Sequence, residues 1–108
     1  MIKVTDKEVA VKFLNIEQSA SKRGFKFDLK LSTIRRLLNT EKCFFSGVTL
    51  NNIELDDNQR TFDRIDNRKG YVEGNMVTCS RKVNSKKSDL TVVEIEMLYK
   101  GLKKKKLI

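Results

Sequence analysis

Residues 60–89, RTFDRIDNRKGYVEGNMVTCSRKVNSKKSD, limit the fold more than any other stretch of the chain. Arg60 to Ile65 reads as a strand. Asp66 to Gly74 carries Asp, Asn, two glycines and several charges, so it reads as a loop of about nine residues. Asn75 to Cys79 reads as a second strand. Ser80 then suits the N-cap of a short basic helix running to about Lys87, since its hydroxyl can accept an orphan backbone N–H. Strand, loop, strand, helix is a ββα unit, and it places the chain in the α+β class.

The flanks are helical. Residues 6–23 carry Val9, Phe13 and Ile16 at spacings of four and three, one apolar stripe of a helix and a candidate piece of core. Thr5 or Asp6 can cap it, and Gly24 is a C-terminal stop. Phe25 to Phe27 reads as a short extended link. Ser32 or Thr33 is expected to cap a second helix, Ile34 to about Asn39, with Leu37 and Leu38 facing inward. Cys43 to Leu50 is apolar and broken by Gly47, so a turn or knuckle; Asn51 to Gln59 is polar and reads as a loop. Thr91 caps a last helix with Val93, Ile95, Met97 and Leu98 as its apolar face, and Lys103 to Lys106 form a basic tail. A chain of 108 residues can bury one modest core. The expected organisation is a single domain, 1–108, with an N-terminal helical part at about 5–40, the ββα unit at about 60–89, and a C-terminal helix and tail at 91–108.

Composition removes whole chemistries. The chain has no His, which excludes Ser-His-Asp triads, His-ligated metals and imidazole as a general base. A net charge of +9 on so small a domain favours polyanionic partners, nucleic acid first. Two cysteines are too few for a disulfide scaffold. No apolar stretch approaches the roughly 20 residues of a membrane span, so no membrane partner is expected. Met1-Ile2-Lys3 lacks the apolar core of a signal peptide, and a cytoplasmic location is the expectation.

The run from Asp63 to Asn75, DRIDNRKGYVEGN, followed by Asn84-Ser-Lys-Lys87-Ser-Asp89, resembles the HNH endonucleases common in phage genomes. Upstream, Ser21-Lys-Arg-Gly24, Phe27-Asp-Leu29, Leu37-Leu38 and Cys43-Phe-Phe-Ser46-Gly47 stand in the order such proteins show, so the likeness covers about residues 20–91. It implies an HNH-like ββα-metal core flanked by N-terminal and C-terminal helices. It also implies a place for each residue. Asp63 matches a metal-binding Asp, Arg64 stands where the general-base His would be, and Asn75 matches the Asn that pins the loop. Asn84 matches a polar metal ligand on the helix, so Mg²⁺ or Mn²⁺ would sit between Asp63 and Asn84. Lys87, one turn beyond Asn84 on the same helical face, would contact phosphate. If phage-encoded, the protein would act in the cytoplasm of the host cell.

The departures matter as much as the match. An Arg guanidinium does not deprotonate in proteins and cannot replace the His as base; it can hold a phosphate bidentately. Loss of a general base costs about 10²–10⁴-fold in rate, although a metal-bound water can still hydrolyse slowly. Asp66, Glu73, Tyr71 and Lys86 are conceivable stand-in bases. Some HNH relatives carry two Cys-x-x-Cys pairs; here they read Cys43-x-x-Ser46 and Cys79-x-x-Lys82, so no zinc is expected and the two thiols should lie together as small buried groups.

Plainer readings stand beside these. Asp63 can be a strand-end acid paired with a Lys. Arg64 can form a structural ion pair with Asp66 or Glu73, and Asn75 is first of all a backbone-satisfying loop residue. Arg64, Arg68, Lys69, Arg81, Lys82, Lys86 and Lys87 share one sign and form an expected nucleic-acid surface, or the wet face of a helix. Three functions remain open: a DNA-binding protein on an HNH-like scaffold with catalysis lost or weak, an active metal-dependent endonuclease, and a small phage protein that modulates a host protein.

Overall fold

The computed structural model describes residues 3–108; Met1 and Ile2, part of the segment read for a leader, lie outside the described residues. The molecule is α+β, with four helices and two small two-stranded sheets. Helix α1 (Asp6–Arg23) is closed at both ends as its sequence predicts. The Thr5 hydroxyl accepts the Glu8 N–H at 3.1 Å while the Glu8 carboxylate accepts the Thr5 N–H, and Gly24 ends the helix at φ 72°. A left-handed φ at this position costs glycine nothing.

After α1 comes β1 (Phe27–Asp28), then α2 (Leu31–Leu38). Helix α2 starts three residues earlier than expected, and neither Ser32 nor Thr33 caps it; its N-cap is Lys30, whose side chain makes no cap bond. The cap comes from far along the chain. Glu73 accepts the Lys30 N–H at 3.0 Å and the Thr33 hydroxyl at 2.7 Å, which puts a carboxylate at the positive end of the helix.

Strand β2 (Arg60–Arg64) pairs antiparallel with β4 (Met76–Ser80), with Arg64 opposite Met76 and Asp63 opposite Val77. The stretch between them is not pure loop. Tyr71–Val72 form β3, which pairs parallel with β1, and Asn75 lies just before β4 rather than inside it. Gly70 is required here: a Cβ would come within 2.4 Å of the Lys26 carbonyl oxygen, which accepts the Tyr71 N–H. Helix α3 (Arg81–Lys87) follows β4 directly, capped by the Ser80 hydroxyl, which accepts the Val83 N–H at 3.2 Å.

The β2–β4 ribbon is covered on both sides, and strand alternation sorts its residues. Phe62, Met76 and Thr78 face α1 and α2. Met76 joins Val9, Ile16, Ala20, Leu29, Ile34, Leu37 and Tyr71 in the main core, Phe62 packs against that core, and the Thr78 hydroxyl donates to the Leu37 carbonyl at 2.8 Å. Thr61, Asp63 and Cys79 face α3. Cys79 and Cys43 lie in one small cluster with Leu50, against which Val83 packs, as expected for two buried thiols.

Helix α4 (Val92–Lys104) begins with a capping box from Thr91 and Glu94, but none of its residues is buried. Its apolar residues are present as the sequence suggests, yet Val93 and Met97 are 61% and 62% exposed. The lysine run belongs partly to the helix, which extends through Lys104.

Candidate nucleic-acid interface

The α3 face of the ribbon gathers Asp63, Asn84 and Lys87. Lys87 is buried; its Nζ donates to the Arg64 carbonyl at 3.1 Å and stands 3.0 Å from Asp63 Oδ2. The Asp63 contact lies outside hydrogen-bond angles, so the attraction is Coulombic. Of the two plain alternatives for Asp63, this is the strand-end acid paired with a Lys. Asn84 Nδ2 donates to the Thr61 hydroxyl at 3.1 Å and to the Phe62 carbonyl at 3.3 Å. A carbonyl only accepts, so the nitrogen of that carboxamide must point at β2.

This arrangement bears on the expected Mg²⁺ or Mn²⁺. A hard divalent ion needs several oxygen ligands around an accessible centre. Here one carboxylate already holds an ammonium, and the neighbouring carboxamide turns its nitrogen inward. Among the described residues, no group of three or more His, Cys, Asp or Glu is placed to hold a metal ion. The residues as arranged fit an internal ion pair, not a divalent cation. Lys87, expected on phosphate, is occupied inside the protein.

Arg64 lies on the other face. It is only 7% exposed, and its Nη1 donates to the carbonyls of Asn67 and Lys69 at 3.0 and 2.9 Å. Its guanidinium lies 4.1 Å from the Phe25 ring centre and 5.0 Å from that of Tyr71. The proposed ion pair with Asp66 or Glu73 is not what holds it: Asp66 binds Arg68, and Glu73 binds Thr33 and Lys30. So the carboxylate and the carboxamide share the α3 side of the ribbon, each bonded to its own partner, while the guanidinium next in sequence is carried to the other side.

Asn75 behaves as expected of a loop pin. Its Oδ1 accepts the Asp66 N–H at 2.9 Å, and its Nδ2 donates to the carbonyls of Asp66 and Gly70 at 3.1 and 2.9 Å. The stand-in bases are largely committed. Hydrogen bonds from Arg68 hold the Asp66 carboxyl below the usual range, hydrogen bonds from Thr33 and Lys30 do the same for Glu73, and the Tyr71 hydroxyl accepts from Arg23 at 2.7 Å. Lys86 stays exposed.

Arg81, Lys82 and Lys86 along α3 are exposed, as are Arg68 and Lys69 on the loop before β3. Arg81 Nη1 donates to the Leu55 carbonyl at 3.3 Å, and Arg68 is drawn toward Asp66 at 3.2 Å. Lys69, Lys82 and Lys86 make no ion pair among the described residues.

Sequence reasoning named Arg64 and Arg81 but missed Lys12, Arg23 and Arg60. A groove of about 600 Å³ runs between α1 and β2 and is lined by Lys12, Arg23, Arg60, Arg64 and Arg81. Period-two alternation along RTFDR, which puts Arg60, Phe62 and Arg64 on one side, was the available signal. Burial pushes the pKa of Lys12 and Arg60 down, with Glu41 opposing the shift at Arg60.

Against known proteins, the chain is 30% identical over 79 residues to the Uncharacterized 29.0 kDa protein in dda-modA intergenic region of Enterobacteria phage T4. The match covers 73% of this chain and 32% of the relative, so the chain spans about a third of that protein's length. No family model and no solved structure matches the chain. Among the described residues, no helix is long and apolar enough to cross a membrane.

Proposed function

We propose that this chain binds nucleic acid, DNA first, on an HNH endonuclease-like ββα scaffold whose catalysis is lost or weak. The observation that carries the reading is the division of charge around α3. Its inner side closes on Asp63 through Lys87, while Arg81, Lys82 and Lys86 stay exposed along it, as do Arg68 and Lys69 on the loop before β3. Cations arranged this way hold a phosphate backbone without reading bases. The weak-catalysis half is supported by the missing base and by the ammonium beside the carboxylate a metal would need. The likeness to a phage T4 protein supports a phage setting, in which the protein meets nucleic acid in the cytoplasm of an infected cell.

Titration of the whole chain with labelled duplex DNA at rising salt tests this. Each phosphate contact releases counterions, so affinity falls steeply with salt, and Lys82→Glu/Lys86→Glu lowers both affinity and slope. An affinity that does not change with salt removes the reading. Plasmid held with Mg²⁺ or Mn²⁺ stays uncut or is nicked only slowly. Brisk nicking abolished by Asp63→Ala establishes the active endonuclease instead.

A further inference from the structure

We propose that the groove between α1 and β2, on the face of the ribbon opposite Asp63 and Asn84, is a binding site for a nucleotide phosphate ester. This goes beyond duplex binding at α3 and uses different residues, except that Arg81 borders both.

The volume, about 600 Å³, falls within the range of sites for nucleotide-sized ligands. Five cations line it and no Asp or Glu does. Two of them are placed in a way that calls for an anion. Arg23 and Arg64 approach the same pair of rings: Arg23 donates to the Tyr71 hydroxyl at 2.7 Å and lies 5.6 Å from the Phe25 centre, and Arg64 lies over both rings, at 4.1 Å from the Phe25 centre and 5.0 Å from that of Tyr71. Neither guanidinium has a carboxylate partner among the described residues. Like charges gathered on shared aromatic walls repel each other, and a bound anion removes that cost.

Arg64 is also held in advance. It donates to two backbone carbonyls and lies against two aromatic rings, so little freedom is lost when the remaining donors meet an anion. Lys12 stands 4.8 Å from the Phe62 centre at the side of the groove, and Arg60 retains one buried guanidinium nitrogen with no hydrogen-bond partner. Guanidinium forks suit phosphate oxygens. The neutral polar groups of Asn15, Ser19 and Gln59 on the same walls suit the rest of a nucleotide. The ligand is a free nucleotide or one unit of a single strand, since both bring the same chemistry.

The test uses the full chain, a labelled single-stranded oligonucleotide of roughly ten nucleotides, a 5′-mononucleotide and poly-glutamate. Lys12→Gln/Arg23→Gln and, separately, Ser19→Glu are compared with wild type after circular dichroism shows them folded. Single-strand affinity falls about tenfold or more in both variants, while duplex affinity stays within about twofold. Competition by the mononucleotide identifies a free nucleotide as the ligand; competition only by oligonucleotide identifies a strand. Unchanged single-strand binding in both variants overturns the proposal, as does equal competition by poly-glutamate, which marks the groove as an acidic-peptide site. Lys82→Glu/Lys86→Glu separates the two surfaces. If wild type binds no duplex yet loses single-strand binding in the groove variants, the duplex reading fails and the groove stands.

Discussion

Asp63 and Arg64 are neighbours in the chain and lie on opposite faces of the β2–β4 ribbon, the first against Lys87 of α3 and the second against Phe25 and Tyr71. Two residues that the sequence groups as one site therefore belong to two surfaces.

The Asp63–Lys87 pair is buried, with side chains 12% and 7% exposed. Removing one partner strands the other charge in the interior, so Lys87→Ala should cost about 3–5 kcal/mol in urea unfolding. Asp63→Asn/Lys87→Met should regain most of that loss, because it removes both charges together. Equal instability of the single and double variants would show that the pair is not coupled.

Arg64→His should not create a nuclease. A His at this position sits on the groove side, away from Asp63 and Asn84, and it loses the two carbonyl bonds and the ring stacking of Arg64. The expected outcome is about 2 kcal/mol of destabilisation with no gain in plasmid cleavage in Mg²⁺. Metal-dependent cutting by this variant would place residue 64 on the α3 side.

Asn75→Ala should destabilise by about 2–3 kcal/mol, since three backbone groups of the loop lose their partner at once. Asn75→Asp should be no rescue: a carboxylate can accept from Asp66 but cannot donate to the Asp66 and Gly70 carbonyls. Chemical denaturation of both variants checks this.

Glu73 ties the loop after β3 to the start of α2, and hydrogen bonds from Thr33 and Lys30 hold its pKa below the ordinary carboxylate value in the fold. A carboxyl with a depressed folded value stabilises fully above its ordinary pKa and loses that contribution as pH falls through the lower one. Stability measured from pH 7 down to pH 3 should therefore drop less steeply in Glu73→Gln than in wild type, from a lower starting point at pH 7.

Much of the fold was legible. The cap offered to Thr5 or Asp6 falls on Thr5, and the stop at Gly24, the Ser80 cap and the Thr91 cap, local signals read within four or five residues, each hold. What was not legible depends on distant contacts. Ser32 and Thr33 look like caps, but Glu73 does that work from about forty residues away. The β3 strand hides in a glycine-rich loop because its partner, β1, is only two residues long. Of the site, Asn75 was readable because its spacing and chemistry coincide. Lys87 was read as a phosphate contact because sequence shows a charge without showing its burial beside Asp63. The α4 stripe has core-like spacing, but periodicity alone does not supply a surface to cover it.

Helix α4 has 13 residues and none of them is buried, so what keeps it wound is its capping box, its own backbone bonds and exposed local pairs such as Glu96–Lys100. An isolated helix of that length is marginal in water. Its amide hydrogens will exchange long before those of the ribbon, and a protease will trim the molecule back toward Leu90 while the remainder stays folded.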